Sequence, residues 1–221
     1  VGVLRSEGLQ SLSEFGTSTV SDALDRLSIA GQPVGIHPLE HGFRLCGPAF
    51  TVRYLPVDQC AGGSVGDFLD DVPEGAVVVI DNGGREDATV WGDLMTTVAA
   101  RNGLSGTVID GVSRDTDRAL ELGYPIFTRS TFMRTGKDRV SLTEVNGPVK
   151  VGNQRVQPED LIIGDADGVV VVPSSRLAEV AAVAAEIHEA EWRIRALVRQ
   201  GARLDEARRQ AGYHQLQRRE V

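Results

Sequence analysis

Several residue types are scarce in this chain, and each shortage closes off a class of chemistry. Only two cysteines occur, Cys46 and Cys60. They sit in no CxxC or metal-ligand spacing, so two reduced thiols are expected rather than a disulfide framework. The four histidines, His37, His41, His188 and His214, make no zinc-ligand pattern. No apolar run approaches the ~18 residues of a membrane-spanning helix. The first residues lack the charged start and apolar core of a secretion signal. A soluble, cytoplasmic protein is expected. Basic charge is also in deficit: the formal net charge is −8, which disfavours nucleic acid as a partner, since phosphate contacts need a basic face. The arginines between Arg193 and Arg219 are interleaved with acidic residues and read as a solvated helix surface. There is no GxSxG elbow, no GxGxxG loop and no Walker spacing.

What is present is an alternation of helix and strand, punctuated by 25 glycines that imply many tight turns. "TSTVSDALDRL" places Val20, Ala23, Leu24 and Leu27 at helical spacing behind Ser/Thr capping candidates. "CGPAFTVRYL" reads as a strand, "SVGDFLDDV" as a short helix, and "PEGAVVVID" as a turn into a fully buried strand. "WGDLMTTVAARNGLSGTVIDGVSRD" adds helix and strand, and "DRALELGYPIF" adds helix, glycine stop and strand. Such alternation predicts an α/β domain with a parallel sheet. After about Arg129 the turns come closer together and predict antiparallel hairpins, a second β layer packed on the first. From Ser174 to about Gln200 the chain reads as one helix. Its seam runs Leu177, Val180, Ala184, Ile187, Glu191, Ile194, Val198, and Glu191 is the carboxylate that interrupts it. The expected organisation is a single α/β catalytic domain over residues 1–175 and a C-terminal helical extension over 176–221. That extension would pack on the domain or on a neighbouring subunit.

The chemistry concentrates in two places. Arg114 and Asp115 follow the strand "TVIDGVS", at the strand end where open α/β sheets bind ligands. An arginine there can clamp a carboxylate through two parallel hydrogen bonds. An aspartate there can hold a hard divalent cation, or simply cap the next helix. Upstream, Gly92-Asp93-Leu94-Met95 opens a helix whose free amides favour a bound anion. Together the two helix starts suit a small keto acid. "DNGGRED", from Asp81 to Asp87, reads as a loop at the edge of that site. The only lysines, Lys137 and Lys150, fall in the polar region beyond it. A Schiff base needs a lysine in an apolar site, so a metal is expected to serve as the electron sink.

"TSTVSDALDRL", "GPAFTVRY", "WGDL", "VIDGVSRD", "GYPIF" and "DADGVVVVP" occur in an order that resembles one family. It comprises the regulator of ribonuclease activity A and the related 4-hydroxy-4-methyl-2-oxoglutarate aldolases, members of which have been mislabelled demethylmenaquinone methyltransferases. The resemblance spans roughly Leu12 to Val198 and centres on an Asp, twenty-one residues, then Arg-Asp, met here by Asp93 and Arg114-Asp115. It implies a three-layer β/β/α swivelling-domain-like fold with a long C-terminal helix, assembled as trimers or hexamers with sites at subunit boundaries. It also implies a class II pyruvate aldolase, a carbon–carbon lyase that releases pyruvate from a 4-hydroxy-2-oxo acid, with oxaloacetate decarboxylase side activity. Asp115 would then bind Mg²⁺ or Mn²⁺, and Arg114 and the amides around Gly92, Leu94 and Met95 the pyruvyl group. Asp93 would orient water, and Glu191 would complete a neighbour's site. Aldolases commonly carry an acidic residue where this chain has Arg118, with Asp117 one place earlier. The alternative within the family is a non-catalytic, protein-binding regulator.

Overall fold

The computed structural model describes residues 12–57 and 66–213. Cys60, His214 and the start of "SVGDFLDDV" lie outside these residues; the remainder of that segment carries a single 3-10 turn, Leu69–Asp71. The chain divides into two compact units: Gln32–Pro173, and a second made of Val1–Gly31 with Ser174–Val221. Residues 12–31 group with the C-terminal helix rather than with the α/β unit.

The α/β unit is built on four parallel strands. These are β2 (Leu45–Pro56), β3 (Val77–Arg85), β4 (Gly106–Ser113) and β5 (Ile126–Thr131). Helices α2 (Asp93–Arg101) and α3 (Thr116–Leu122) cross between β3, β4 and β5. The unit's other strands are β1 (His37–Pro38), β6 (Val140–Val145), β7 (Val149–Val151), β8 (Gln154–Val156), β9 (Leu161–Asp165) and β10 (Gly168–Val172). The large sheet runs β1-β5-β4-β3-β2-β9-β10, with β6 on the far part of β2. β7 and β8 form a separate hairpin.

Period-two alternation sorts the apolar side chains onto the two faces of the sheet. Val78, Ile80, Ile109 and Ile126 join Ala99 and Ala119 of the helices in one core. Val77, Val79, Val108 and Phe127 join Val149, Val151, Val156, Ile162 and Val169 in the other. The result is a β/β/α stack, and the antiparallel second layer is where the hairpin reading placed it. β4, covered on both sides, is buried along its whole length, which is why its sequence is apolar without alternation.

"DNGGRED" departs from the loop reading. β3 continues to Arg85 through a register irregularity between Asp81 and Arg85. Gly83 and Gly84 absorb it at φ of 63° and 69°. Asp81 accepts hydrogen bonds from the amides of Gly83 and Lys150, so its carboxylate secures the bulge.

In the helical unit, α1 (Thr17–Arg26) buries Thr17, Val20, Ala23 and Leu24. The long helix α4 (Leu177–Arg199) buries Leu177, Val180, Ala181, Ala184, Ile187, Ala190 and Ile194, and α5 (Leu204–Gln210) follows. Arg26 pairs with Glu186 at 2.8 Å. The seam reading needs correction at its distal half. Ala190, not Glu191, continues the buried line from Ile187 to Ile194, and Val198 is exposed. Straight 3.6-residue helix geometry carries the apolar stripe to Ala190, whereas a strict heptad drifts to Glu191.

Candidate functional site

β4 ends at Ser113, and the next two residues are Arg114 and Asp115. Asp115 stands at the N-cap of α3 in the left-handed region, φ 53°, ψ 42°. Its side chain does not cap that helix. Its Oδ2 instead receives the guanidinium Nε of Arg114 at 3.2 Å and the amide of Asp93 at a long 3.4 Å. A non-glycine residue held there costs on the order of 1 kcal/mol, and Asp is among the types that tolerate it. The helix-cap alternative for Asp115 therefore fails. The backbone turns the carboxylate away from its own helix and toward the start of α2.

That start is fixed from below. Trp91 is buried, donates its indole N–H to Thr96 at 2.9 Å and stacks on Tyr124. Its carbonyl accepts the Arg114 amide at 3.1 Å, which ties the end of β4 to the start of α2. Gly92 is the N-cap. A Cβ on Gly92 would lie 2.8 Å from Asp115 Oδ2 and 3.2 Å from Arg114 Nε. The glycine is the space in which those two groups meet. The first amide of α2 to bond back is that of Thr96, to Gly92. The amides of Leu94 and Met95 precede it and make no hydrogen bond among the described residues, as the first turn of a helix dictates.

A cavity of about 490 Å³ opens on this arrangement, lined by Thr89 to Met95, Gly66, Arg114 and the segment Thr135 to Asp138. Every expected site residue of the α/β unit except Asp115 lines it; Asp115 adjoins the lining through Gly92, Asp93 and Arg114. The second wall was not foreseen. Lys137, placed by sequence beyond the pocket, lines it. The wall is brought in by a bridge between Thr89 and Thr135 and by the Thr89 amide bonding Arg134. Gly136 lies so close that a Cβ would sit 2.3 Å from the Thr89 carbonyl. An abrupt "TGKD" in a polar stretch was the only sequence signal. Arg118 does not join the site: it bonds Thr97 at 3.2 Å and Glu121 at 3.1 Å and so ties α3 to α2.

Glu191 pairs with Arg195 of its own helix at 2.6 Å and keeps 26% of its side chain exposed.

As a metal centre the site is sparse. No cluster of three or more His, Cys, Asp or Glu occurs among the described residues, which excludes a closed protein cage of the zinc type there. An exposed carboxylate with Oδ1 uncommitted suits a hard cation that keeps water and substrate as its other ligands.

Among known proteins, the RraA-like family model, described as Aldolase/RraA, matches residues 17–171. A Legionella pneumophila protein, DlpA, is 38% identical over 94% of this chain, which spans only about a third (34%) of its length. A Halalkalibacterium halodurans protein bearing the provisional name 4-hydroxy-4-methyl-2-oxoglutarate aldolase is 35% identical over 72% of this chain and 73% of its own. The crystal structure of Streptomyces coelicolor RraAS2, described as an unusual member of the RNase ES inhibitor RraA family, superposes with a TM-score of 0.75. It is 29% identical and covers 84% of this chain and 93% of that one. No helix among the described residues is long and apolar enough to cross a membrane.

Proposed function

The chain belongs to the RraA-like family, and from that premise we propose that its pocket is the active site of a divalent-metal-dependent lyase releasing pyruvate from a 4-hydroxy-2-oxo acid. The observation that carries this reading is the convergence at Gly92 of the Arg114 guanidinium, the Asp115 carboxylate and the unbonded amides of α2. An oxo acid needs all three kinds of group: a cation and amides for its carboxylate, and an anchor for an electrophile.

Mg²⁺ or Mn²⁺ held at Asp115 would supply the Lewis acid that draws electron density toward the C2 carbonyl oxygen. Arg114 and the amides of Leu94 and Met95 hold the C1 carboxylate and orient the C3–C4 bond. Asp93 is exposed on the wall and positions the water that takes the C4 hydroxyl proton. In an oligomer, Glu191 of a neighbouring copy assists it. The C3–C4 bond then breaks, C4 leaves as a carbonyl, and the electron pair passes into the enolate of pyruvate, stabilised by Arg114. Protonation at C3 completes pyruvate. Loss of CO₂ from oxaloacetate passes through the same enolate, hence the side activity. Lys137 is exposed and lacks the apolar burial that frees an amine for imine chemistry. Its ammonium instead receives an anionic group on the C4 side of the substrate.

The test is coupled pyruvate release over a panel of 4-hydroxy-2-oxo acids, with EDTA or with added Mg²⁺. Metal-dependent turnover is expected, falling at least about a hundredfold in Asp115→Asn, since even outer-shell changes cost 10–100-fold. No pyruvate from any member at saturating metal would leave the second reading, a protein-binding regulator. The likeness to RraAS2 supports that reading, as do Leu94 and Met133, 76% and 75% exposed. A regulator's binding would be indifferent to Asp115→Asn.

A further inference from the structure

The second lysine stands at another cavity. It measures about 390 Å³, is lined by Arg53, Pro148, Val149, Lys150, Asn153 and Arg155, and shares no residue with the first. Lys150 and Arg155 are direct cross-strand partners in the β7–β8 hairpin, and both are exposed. Like charges directly opposite one another destabilise a strand pair. Neither side chain has an acidic partner among the described residues. The cost is conspicuous in a chain with 31 acidic residues against 23 basic ones.

The hairpin is also held rigidly. The Lys150 amide donates to Asp81 at 3.1 Å, the Gly152 amide to the buried Asp110 at 3.0 Å, and the Val34 amide to Asn153 Oδ1 at 3.1 Å. The last bond fixes the side-chain amide of Asn153 with its NH₂ free to donate elsewhere. Arg53 is committed: it pairs with Glu144 at 2.8 Å and with Asp81 at 3.5 Å, and donates to the Pro148 carbonyl. These two carboxylates offset its charge, and neither lines the cavity. The uncommitted side-chain groups of the lining are thus all donors, two of them cationic.

We infer that this cavity is a binding site for a small multivalent oxyanion, bridging Lys150 and Arg155 and accepting from Asn153. The volume lies within the small-ligand range of ~300–1,000 Å³. The pinned hairpin meets the ligand with its donors already spaced, which lowers the ordering cost of binding. An extended polyanion such as RNA fits poorly, because the chain's net charge of −8 repels whatever reaches past the local patch.

The test is calorimetric titration of the full chain, in metal-free buffer at low salt, with pyrophosphate and separately with tricarballylate. The two arms distinguish a phosphate from a polycarboxylate ligand. Saturable binding of at least one, at about one per chain, is expected, weakening as salt rises. Lys150→Gln with Arg155→Gln should weaken it at least about tenfold, the scale of one lost charge-assisted bond, while Arg114→Lys leaves it unchanged. Lys150→Glu, which converts the repulsive pair into an attractive one, should abolish binding and raise Tm. Absence of saturable binding in both arms overturns the inference, as does binding that survives the double substitution or is lost with Arg114→Lys. A change of oligomeric state in the Gln variants without any anion dependence overturns it in favour of a subunit contact.

Discussion

At the scale of single residues, the site depends on one missing Cβ. Gly92→Ala would press on the far ends of Asp115 and Arg114 and not on backbone, so the fold can absorb it while the site cannot. The expected outcome is a Tm within a few degrees of the parent and kcat/KM lower by at least about tenfold, because displacements near 1 Å cost ~10²-fold. A large loss of Tm with the residual rate intact would show the glycine to be structural. Arg114→Lys should lower kcat/KM by about 10–100-fold, since an ammonium cannot reproduce the planar two-bond contact. Wild-type kinetics in that variant would remove the clamp. Lys137→Met should raise KM for substrates with an anion beyond C4 and leave substrates without one unaffected. Borohydride trapping with pyruvate should add no mass to either lysine; an adduct on Lys137 would replace the metal-enolate route with an imine.

At the scale of elements, the pocket is a junction between the start of α2 and the turn before β6. Gly136→Ala places a carbon 2.3 Å from the Thr89 carbonyl and 2.9 Å from Val140, and backbone cannot yield as a side-chain tip can. A stability loss of about 1–3 kcal/mol is expected in denaturant titration, together with a raised KM as the Lys137 wall shifts. Unchanged stability would mean that the bridge is dispensable. The first wall was legible in the sequence, because a buried parallel strand followed by Arg-Asp and a Gly-Asp helix start are local patterns with local causes. The second was not: it rests on a contact between Thr89 and Thr135, forty-six positions apart, which no periodicity encodes. "DNGGRED" misled for the reverse reason. Its glycines signal a turn, and the ladder uses them for a bulge inside a strand. The heptad seam misled in its distal half because a heptad and a straight helix diverge after three turns, and Ala190 is too small to stand out.

At the scale of the molecule, a half-buried thiol and two buried phenols of the α/β unit weaken it at alkaline pH. Burial raises the Cys46 thiol from 9.0 to about 11, and burial also raises the hydroxyls of Tyr54 and Tyr124 from 10.0. The folded state keeps these protons where the unfolded chain releases them. Their contribution is therefore complete below pH 9 and is lost as pH rises through 9–11 and beyond. Tyrosinate absorbance from Tyr54 and Tyr124 should appear together with unfolding; its appearance in a still-folded chain would show those sites to be open. Assembly has its own test. Asp115→Ala and Glu191→Ala chains, each inactive, should regain part of the activity when unfolded and reassembled together. No recovery in oligomers shown to be mixed by native mass spectrometry would confine Glu191 to its own helix.

Strand β2 pairs with β9 along Leu45–Pro48, with β3 along Ala49–Arg53 and with β6 along Val52–Pro56. During synthesis its hydrogen-bonding edges therefore wait for partners made about 30, 90 and 115 residues later, and non-local pairing of this kind is slow. A ribosome stalled before Leu161 holds a nascent chain whose apolar strand still lacks its partner along Leu45–Pro48, a state open to chaperones and to clumping with its neighbours on a polysome.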